Sequence, residues 1–448
     1  MKLSSRTVAD VVVLSPEGPL DHETAEAFQE ALSPWVEQAA SAGARLVLDL
    51  AHVPYVSSAG LRALGLAARR LPAGGLLAAS LQPRIREVFR ISRFEAIVPV
   101  HDSVEEALSA TSLGTHAAYR IAHHETPNED LLVRFWGTRG SIPTALDARA
   151  VRQKIRTALR HASGRTFADD RLIDEFIDAE LDFATWGTWG GNSPCVEIEA
   201  GGDEPIICDL GSGLRPFGVN LLARRRGRPA RIHVLLSHVH WDHIMGFPFF
   251  PQAYIPGNEI HIYGAHTVLE EALRRQQSAP NFPVEFDRLG ATITFTTLDA
   301  EKTHEIAGLT VRLRKQTHAG DSYGYRIEKG GKSIVYSTDA EHKIASIEEV
   351  NAAVEFFRGA DLVIFDAMYS LADAVSVKED WGHSSNVMAV DLCHRAGVKH
   401  LCLFHHEPVN DDQTLQRLYQ ESVRYEELMR RGRDLRVTSA FDGLEVRV

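Results

Sequence analysis

The stretch His238-Val239-His240-Trp241-Asp242-His243 constrains this chain more than any other, because it follows the apolar run Val234-Leu235-Leu236 and leads into Ile244-Met245-Gly246. Three imidazoles and a carboxylate behind a buried strand are costly unless a cation takes up their lone pairs. On an extended strand end His238 and His240 point the same way, and Asp242 and His243 fall on the turn into the next element. Ligands for two neighbouring cations can therefore start from one loop. The alternative, a surface histidine cluster or histidines satisfied by backbone groups, accounts poorly for four ligand-type residues in six positions.

A chain of 448 residues exceeds what one core usually serves, so two or three domains are expected. It has no uninterrupted apolar segment of bilayer length and no signal-peptide pattern at Met1-Lys2-Leu3-Ser4, which predicts a cytoplasmic protein without a membrane partner. Cys195, Cys208, Cys393 and Cys402 lie in apolar runs without paired spacing and read as buried free thiols. The net charge of −12 disfavours a large polyanion as partner and still allows a small anion at a local cationic site. The basic run Arg224, Arg225, Arg226, Arg228 and Arg231 reads as a solvated loop before a strand.

The first hundred residues alternate strand and helix patterns: a strand within 8–18, a helix carrying Phe28, Leu32, Val36 and Ala39 with Pro34 as an expected kink or break, and strands at Arg45–Leu50 and Leu76–Leu81. This is the pattern of a small α/β domain with one mixed sheet. Gly18-Pro19-Leu20-Asp21, Leu48-Asp49-Leu50 and Tyr55-Val56-Ser57-Ser58-Ala59-Gly60-Leu61-Arg62 resemble the STAS domain of anti-sigma-factor antagonists, over residues 1–112. That resemblance implies a regulatory or partner-binding module, and makes Ser58 the position that a partner kinase would phosphorylate. A phosphate there would face the positive end of a helix. Ser57 stands where the family often has Asp, so a plain capping role for Ser57 or Ser58 stays open.

Residues 113–130 are polar and aperiodic, as a linker is. From 131 onward strands end repeatedly in His or Asp, and a charged helical insertion at about 147–183, read as a lid, partner surface or dimer contact, interrupts two of them. His238-x-His240-x-Asp242-His243 followed by His318, Asp339 and His405 resembles the metallo-β-lactamase fold, an αββα sandwich, over 131–448. The resemblance implies one metal on His238, His240 and His318, a second on Asp242, His243 and His405, and Asp339 bridging. Such N/O ligands suit Zn²⁺ best, with Mn²⁺ or Fe as rivals. His rather than Glu at 240 favours hydrolysis over redox chemistry, and Asp rather than Cys at 339 argues against a β-lactamase. Asp209, after a buried strand, is expected to orient the metal loop from behind.

Phe135-Trp136-Gly137-Thr138-Arg139-Gly140-Ser141, Gly190-Gly191-Asn192-Ser193, Gly382-His383-Ser384 and Phe404-His405-His406-Glu407-Pro408 are similar to the phosphodiesterase branch, which includes ribonuclease Z and cyclic phosphate phosphodiesterases. This implies a metal-bridging hydroxide as nucleophile, with Asp242 and Asp339 in the catalytic centre, His383 protonating the leaving group and Asn192 as a candidate substrate contact. A small, cyclic nucleotide-like phosphodiester is the expected substrate of what reads as a homo-oligomer. The alternatives are a ribonuclease Z-like endoribonuclease, or a signalling protein whose metal domain is a sensor.

Overall fold

The computed structural model describes residues 2–448 except 9–10, 43–44, 72–74, 105–106, 108–130, 203, 226, 343–346, 377 and 431, so the expected linker at 113–130 lies outside the described residues.

The N-terminal unit is one five-stranded sheet in the order β1 (Lys2–Val8), β2 (Val11–Glu17), β3 (Leu46–Asp49), β4 (Leu76–Ala79), β5 (Val100–His101). β1 and β2 form an antiparallel hairpin, and the remaining neighbours are parallel. Among its described helices, α1 (Ala25–Ala42), α2 (Ser58–Arg69) and α3 (Pro83–Ile91) cover it, the last with its proline in the first turn, where no N–H is missed. Pro34 lies inside α1 and does not break it. Phe28, Leu32, Val36 and Ala39 are buried along one face on both sides of it, and that burial outweighs one lost hydrogen bond.

The C-terminal unit packs two seven-stranded sheets face to face. The first runs β11 (Thr292–Thr297), β10 (Glu259–Gly264), β9 (Arg231–Leu235), β8 (Ile206–Cys208), β7 (Cys195–Glu199), β6 (Leu132–Gly137), β19 (Glu445–Arg447). The second runs in sequence order through β12 (Thr303–Ile306), β13 (Leu309–Gln316), β14 (Ser322–Lys329), β15 (Lys332–Ser337), β16 (Leu362–Asp366), β17 (His400–Phe404) and β18 (Arg436–Ser439). The pleat sends alternate residues to opposite layers: Ile364, Cys402 and Phe404 enter the core between the sheets, while Val363, Phe365, Leu401 and Leu403 face outward under helices. In β16 and β17 both faces are buried, which is why these two strands read as mainly apolar runs.

The outward core of the second sheet is continuous with that of the N-terminal unit, Leu20, Leu61 and Phe89 belonging to the same cluster as Met388, Leu392 and Leu415. There α2 packs on the Asn386–Ala396 helix and α3 on the Asp412–Met429 helix. The helices Ala148–His161 and Asp170–Glu180 fall between β6 and β7, which pair with each other as antiparallel neighbours. All four cysteines are buried and free. Among the described residues no helix is long and apolar enough to cross a membrane.

Candidate metal centre

β8, β9, β13, β15, β16 and β17 all finish at one rim, because β8 and β9 are parallel, β15 to β17 are parallel, and β13 reaches β15 through two antiparallel steps. Each places a polar residue at or within three positions of its end: Asp209, His238, His318, Asp339, Asp366 and His405. Three of them, Asp209 (φ 63°), Asp339 (φ 41°) and His405 (φ 60°), together with Ser141 (φ 55°), occupy the left-handed region. For non-glycine residues that region is unfavourable, and here it turns side chains off the strand line into the rim.

Among the described residues Asp366, His383 and His405 form one group of donor atoms, and two others meet at Asp339: His238, His240, His318 and Asp339, and Asp242, His243, Asp339 and His405. Asp339 divides its carboxylate between them. Its Oδ2 lies 3.7 Å from His238 Nε2 and 3.6 Å from His318 Nε2, and its Oδ1 lies 3.1 Å from Nε2 of both His243 and His405. Asp242 Oδ2 lies 3.2 Å from His243 Nε2 and 3.4 Å from His405 Nε2 and accepts the backbone N–H of Ser141 at 2.9 Å.

The Nε2 atoms of His238, His243 and His405 are buried and have no hydrogen-bond partner in the protein. A buried imidazole nitrogen aimed at carboxylates and other imidazoles, with nothing to bond, fits a cation-binding site. The opposite ring nitrogens of His238, His243 and the neighbouring His318 are engaged: His243 Nδ1 with Asp209 Oδ2 at 2.7 Å, His318 Nδ1 with the Gly382 carbonyl at 2.9 Å, His238 Nδ1 with Ser237 Oγ at 3.0 Å. Such partners set the tautomer that leaves Nε2 free as a donor. Gly382 (φ 83°) allows the close approach, since a Cβ there would lie 2.4 Å from His318 Nδ1.

Asp209 is fully buried and accepts from the Ser237 N–H (2.7 Å), the Ser237 hydroxyl (2.8 Å) and the Tyr336 hydroxyl (2.7 Å) as well as His243. It therefore braces the loop that carries the six-residue histidine stretch. Asn192 uses both ends of its carboxamide inside the protein, Nδ2 donating to Asp442 at 3.1 Å and Oδ1 accepting from Ser212 at 3.0 Å, so the geometry gives it a loop-holding task. Asp442 also accepts the backbone N–H groups of Gly191 and Asn192. His406 turns away from the rim, its Nε2 donating to the Ala440 carbonyl at 2.7 Å.

Burial works against ionisation of Asp339, yet His243, His405 and His238 hold its carboxyl well below the usual carboxylate range. Burial opposes ionisation of Asp242 too, but His243 and His405 together lower it. Burial lowers His238, His240 and His318, so these rings are neutral, the form that ligates. Burial also opposes charge on His243, but Asp339, Asp242 and Asp209 raise it well above the ordinary imidazole value.

Asp366, which nothing in the sequence singled out beyond its place at a strand end, completes the site. It is fully buried and lies 2.8 Å from His383 Nδ1, while the His383 ring stacks on His405 with centroids 5.0 Å apart and lies 5.1 Å from His318. Burial lowers His383, but Asp366 outweighs it and the imidazole is raised to about 9. Ser58 stands elsewhere, in the first turn of α2, where Ser57 is the N-cap and accepts the Ala59 N–H at 3.2 Å.

The model of the beta-lactamase superfamily domain matches residues 206–406, and that of the STAS domain matches residues 2–107. The N-terminal part is 37% identical over 112 residues to BtrV of Bordetella bronchiseptica, a protein assigned to the anti-sigma factor antagonists, covering 25% of this chain and 94% of that one. Ribonuclease Z of Limosilactobacillus fermentum is 22% identical over 220 residues, covering 40% of this chain and 71% of that protein. The solved metallo-beta-lactamase fold protein YhfI of Bacillus subtilis superposes with a TM-score of 0.47 at 17% identity, covering 71% of this chain and 100% of that one. The chain thus joins an N-terminal member of the STAS family to a metallo-β-lactamase domain related to ribonuclease Z.

Proposed function

We propose that the protein is a metal-dependent phosphodiesterase that hydrolyses a small, cyclic nucleotide-like phosphodiester, with His238, His240, His318 and Asp339 holding one divalent ion and Asp242, His243, His405 and Asp339 the other. Zinc suits this donor set best. Two such ions supply a nucleophile at neutral pH and neutralise charge on the phosphoryl oxygens. The observation that carries the reading is the Asp366–His383 pair beside both donor groups. Hydrolysis joins a water oxygen to phosphorus and breaks the bond to the leaving oxygen, which needs a proton. His383, kept protonated by Asp366, gives that proton, and Asp366 fixes the ring and balances its charge. Asp339 and Asp242 stay ionised and serve as ligands.

The surroundings suit a small substrate with an aromatic part. Trp241, between ligands His240 and Asp242, is 78% exposed, and Trp381, two residues before His383, is 61% exposed. Both offer an indole face on which a nucleobase can stack. Lys378 in the same segment is paired with Glu407 and lies 4.4 Å above the Tyr369 ring, so it is not a free grip for a polyanion. The likeness to ribonuclease Z favours a second reading, cleavage of a structured RNA. Metal-loaded protein tested against a panel of cyclic nucleotides and a precursor tRNA decides between them: turnover of a cyclic nucleotide is expected, and RNA cleavage with every cyclic nucleotide inert would overturn it. The STAS domain, by its likeness to anti-sigma factor antagonists, is proposed to bind a protein partner.

A further inference from the structure

The first turn of α2 is tied to the metallo-β-lactamase domain through one carboxylate. The backbone N–H of Ser58 donates to Asp391 Oδ2 at 2.9 Å, the Ser58 hydroxyl donates to the same oxygen, and the Tyr425 hydroxyl donates to Oδ1 at 3.0 Å. Ser58 is only 3% exposed. An anion at the start of α2 also meets the positive end of that helix. Farther along, Arg62 and Arg69 both pair with Glu379, Arg62 at 3.4 Å, and Arg69 donates to the Val375 carbonyl at 3.2 Å. Contact here is close enough that a Cβ on Gly65 would lie 3.2 Å from Val375 Cγ2.

Glu379 and Asp391 flank His383. Between them the chain adopts two left-handed residues, Asp380 (φ 67°) and Gly382 (φ 83°), and for Asp380 that conformation persists only where the surroundings impose it. Glu341 accepts the N–H groups of Asp380 (3.2 Å) and Gly382 (3.3 Å) from within the metallo-β-lactamase domain. The arginines of α2 hold the neighbouring residue from the other side. The segment so held carries the Gly382 carbonyl that orients His318 and the imidazole that meets Asp366, and Ser385 then caps the helix bearing Asp391.

We propose that α2 of the STAS domain is a positioning element for the His383 segment, with Ser58, Arg62 and Arg69 as positioning residues, so that full activity requires the docked STAS domain. Its kinetic consequence rests on the phosphodiesterase reading above; the contact itself does not. Any partner or modification that claims the Ser58 hydroxyl must separate it from Asp391, and thereby loosens the seat of α2, whose arginines hold Glu379.

The test uses the full-length, metal-loaded protein and reads hydrogen exchange of the amides of residues 379–385 beside steady-state kinetics on the best cyclic nucleotide. In the Arg62→Ala, Arg69→Ala double variant those amides are expected to exchange about tenfold faster. kcat should fall between about tenfold and a hundredfold with KM within about twofold of wild type. Ser58→Asp, which sets a second carboxylate against Asp391, should act the same way. Arg69→Glu alone should lose protection, and combining it with Glu379→Arg should restore it, which general misfolding would not do. Unchanged exchange and unchanged kcat in the double variant would overturn the proposal. Should no phosphodiester be turned over by any form, the exchange results still decide on the contact and only the phosphodiesterase reading fails.

Discussion

His383 Nδ1 lies 2.8 Å from Oδ2 of Asp366, a fully buried carboxylate that also accepts the Ala340 N–H at 3.0 Å, so the imidazole is fixed in one orientation beside the two donor groups. If this pair protonates the leaving oxygen, His383→Asn should lower kcat by about 10²- to 10⁴-fold on a nucleotide substrate. A phosphodiester with a p-nitrophenolate leaving group needs no proton and should lose much less. Equal losses on both substrates would remove His383 from the acid role.

Asp339 is the one carboxylate shared by both donor groups. Elemental analysis should find two metal ions per chain, and at most one in Asp339→Ala. Chelation should abolish hydrolysis and lower the unfolding temperature, because an ion held at a hundred times its dissociation constant stabilises the fold by about 2.7 kcal/mol. A chelated protein that kept its melting temperature would contradict the assignment.

Asp209 meets four donors inside the core. Asp209→Ala should destabilise by about 3–5 kcal/mol, since it strands buried donors together, while Tyr336→Phe should cost about 1–2 kcal/mol. Urea unfolding measures both. Metal affinity should fall about tenfold to a hundredfold in the first variant, because His243 loses the acceptor that orients it. It should change little in the second.

His400, on β17 and bonded through Nε2 to Thr438 Oγ1 at 2.9 Å, is lowered to about 3 by burial and by Arg436. An unfolded histidine titrates near about 6.5. Between those values the unfolded chain binds the extra proton, so stability falls as pH drops from about 6.5 toward 3. In His400→Gln this contribution is absent. The stability lost between pH 7.5 and pH 5, measured by urea midpoint, should therefore be smaller than in wild type by on the order of 2 kcal/mol.

The histidine stretch, His318, Asp339 and His405 were legible because each follows a strand-like run, apolar or alternating, and because ligand chemistry restricts residue type. Asp209 also follows such a run, and its Oδ2 meets His243 Nδ1 at 2.7 Å. Asp366 also ends such a run, but a lone aspartate carries no spacing signal until His383 is seen beside it. Pro34 lies within an uninterrupted α1 because the buried face continues on both sides of it. The contact of Ser58 with Asp391 was not legible, since the two residues lie 333 positions apart.

By itself, the sequence determined which residues end strands and which chemistry they bring, because alternation, burial and ligand type are properties of short segments. Only the tertiary structure decided that Asp339 faces two donor groups, that Asp366 holds His383, and that α2 closes on Glu379 and Asp391. Those are meetings between elements far apart in the chain, and they depend on how sheets and domains pack.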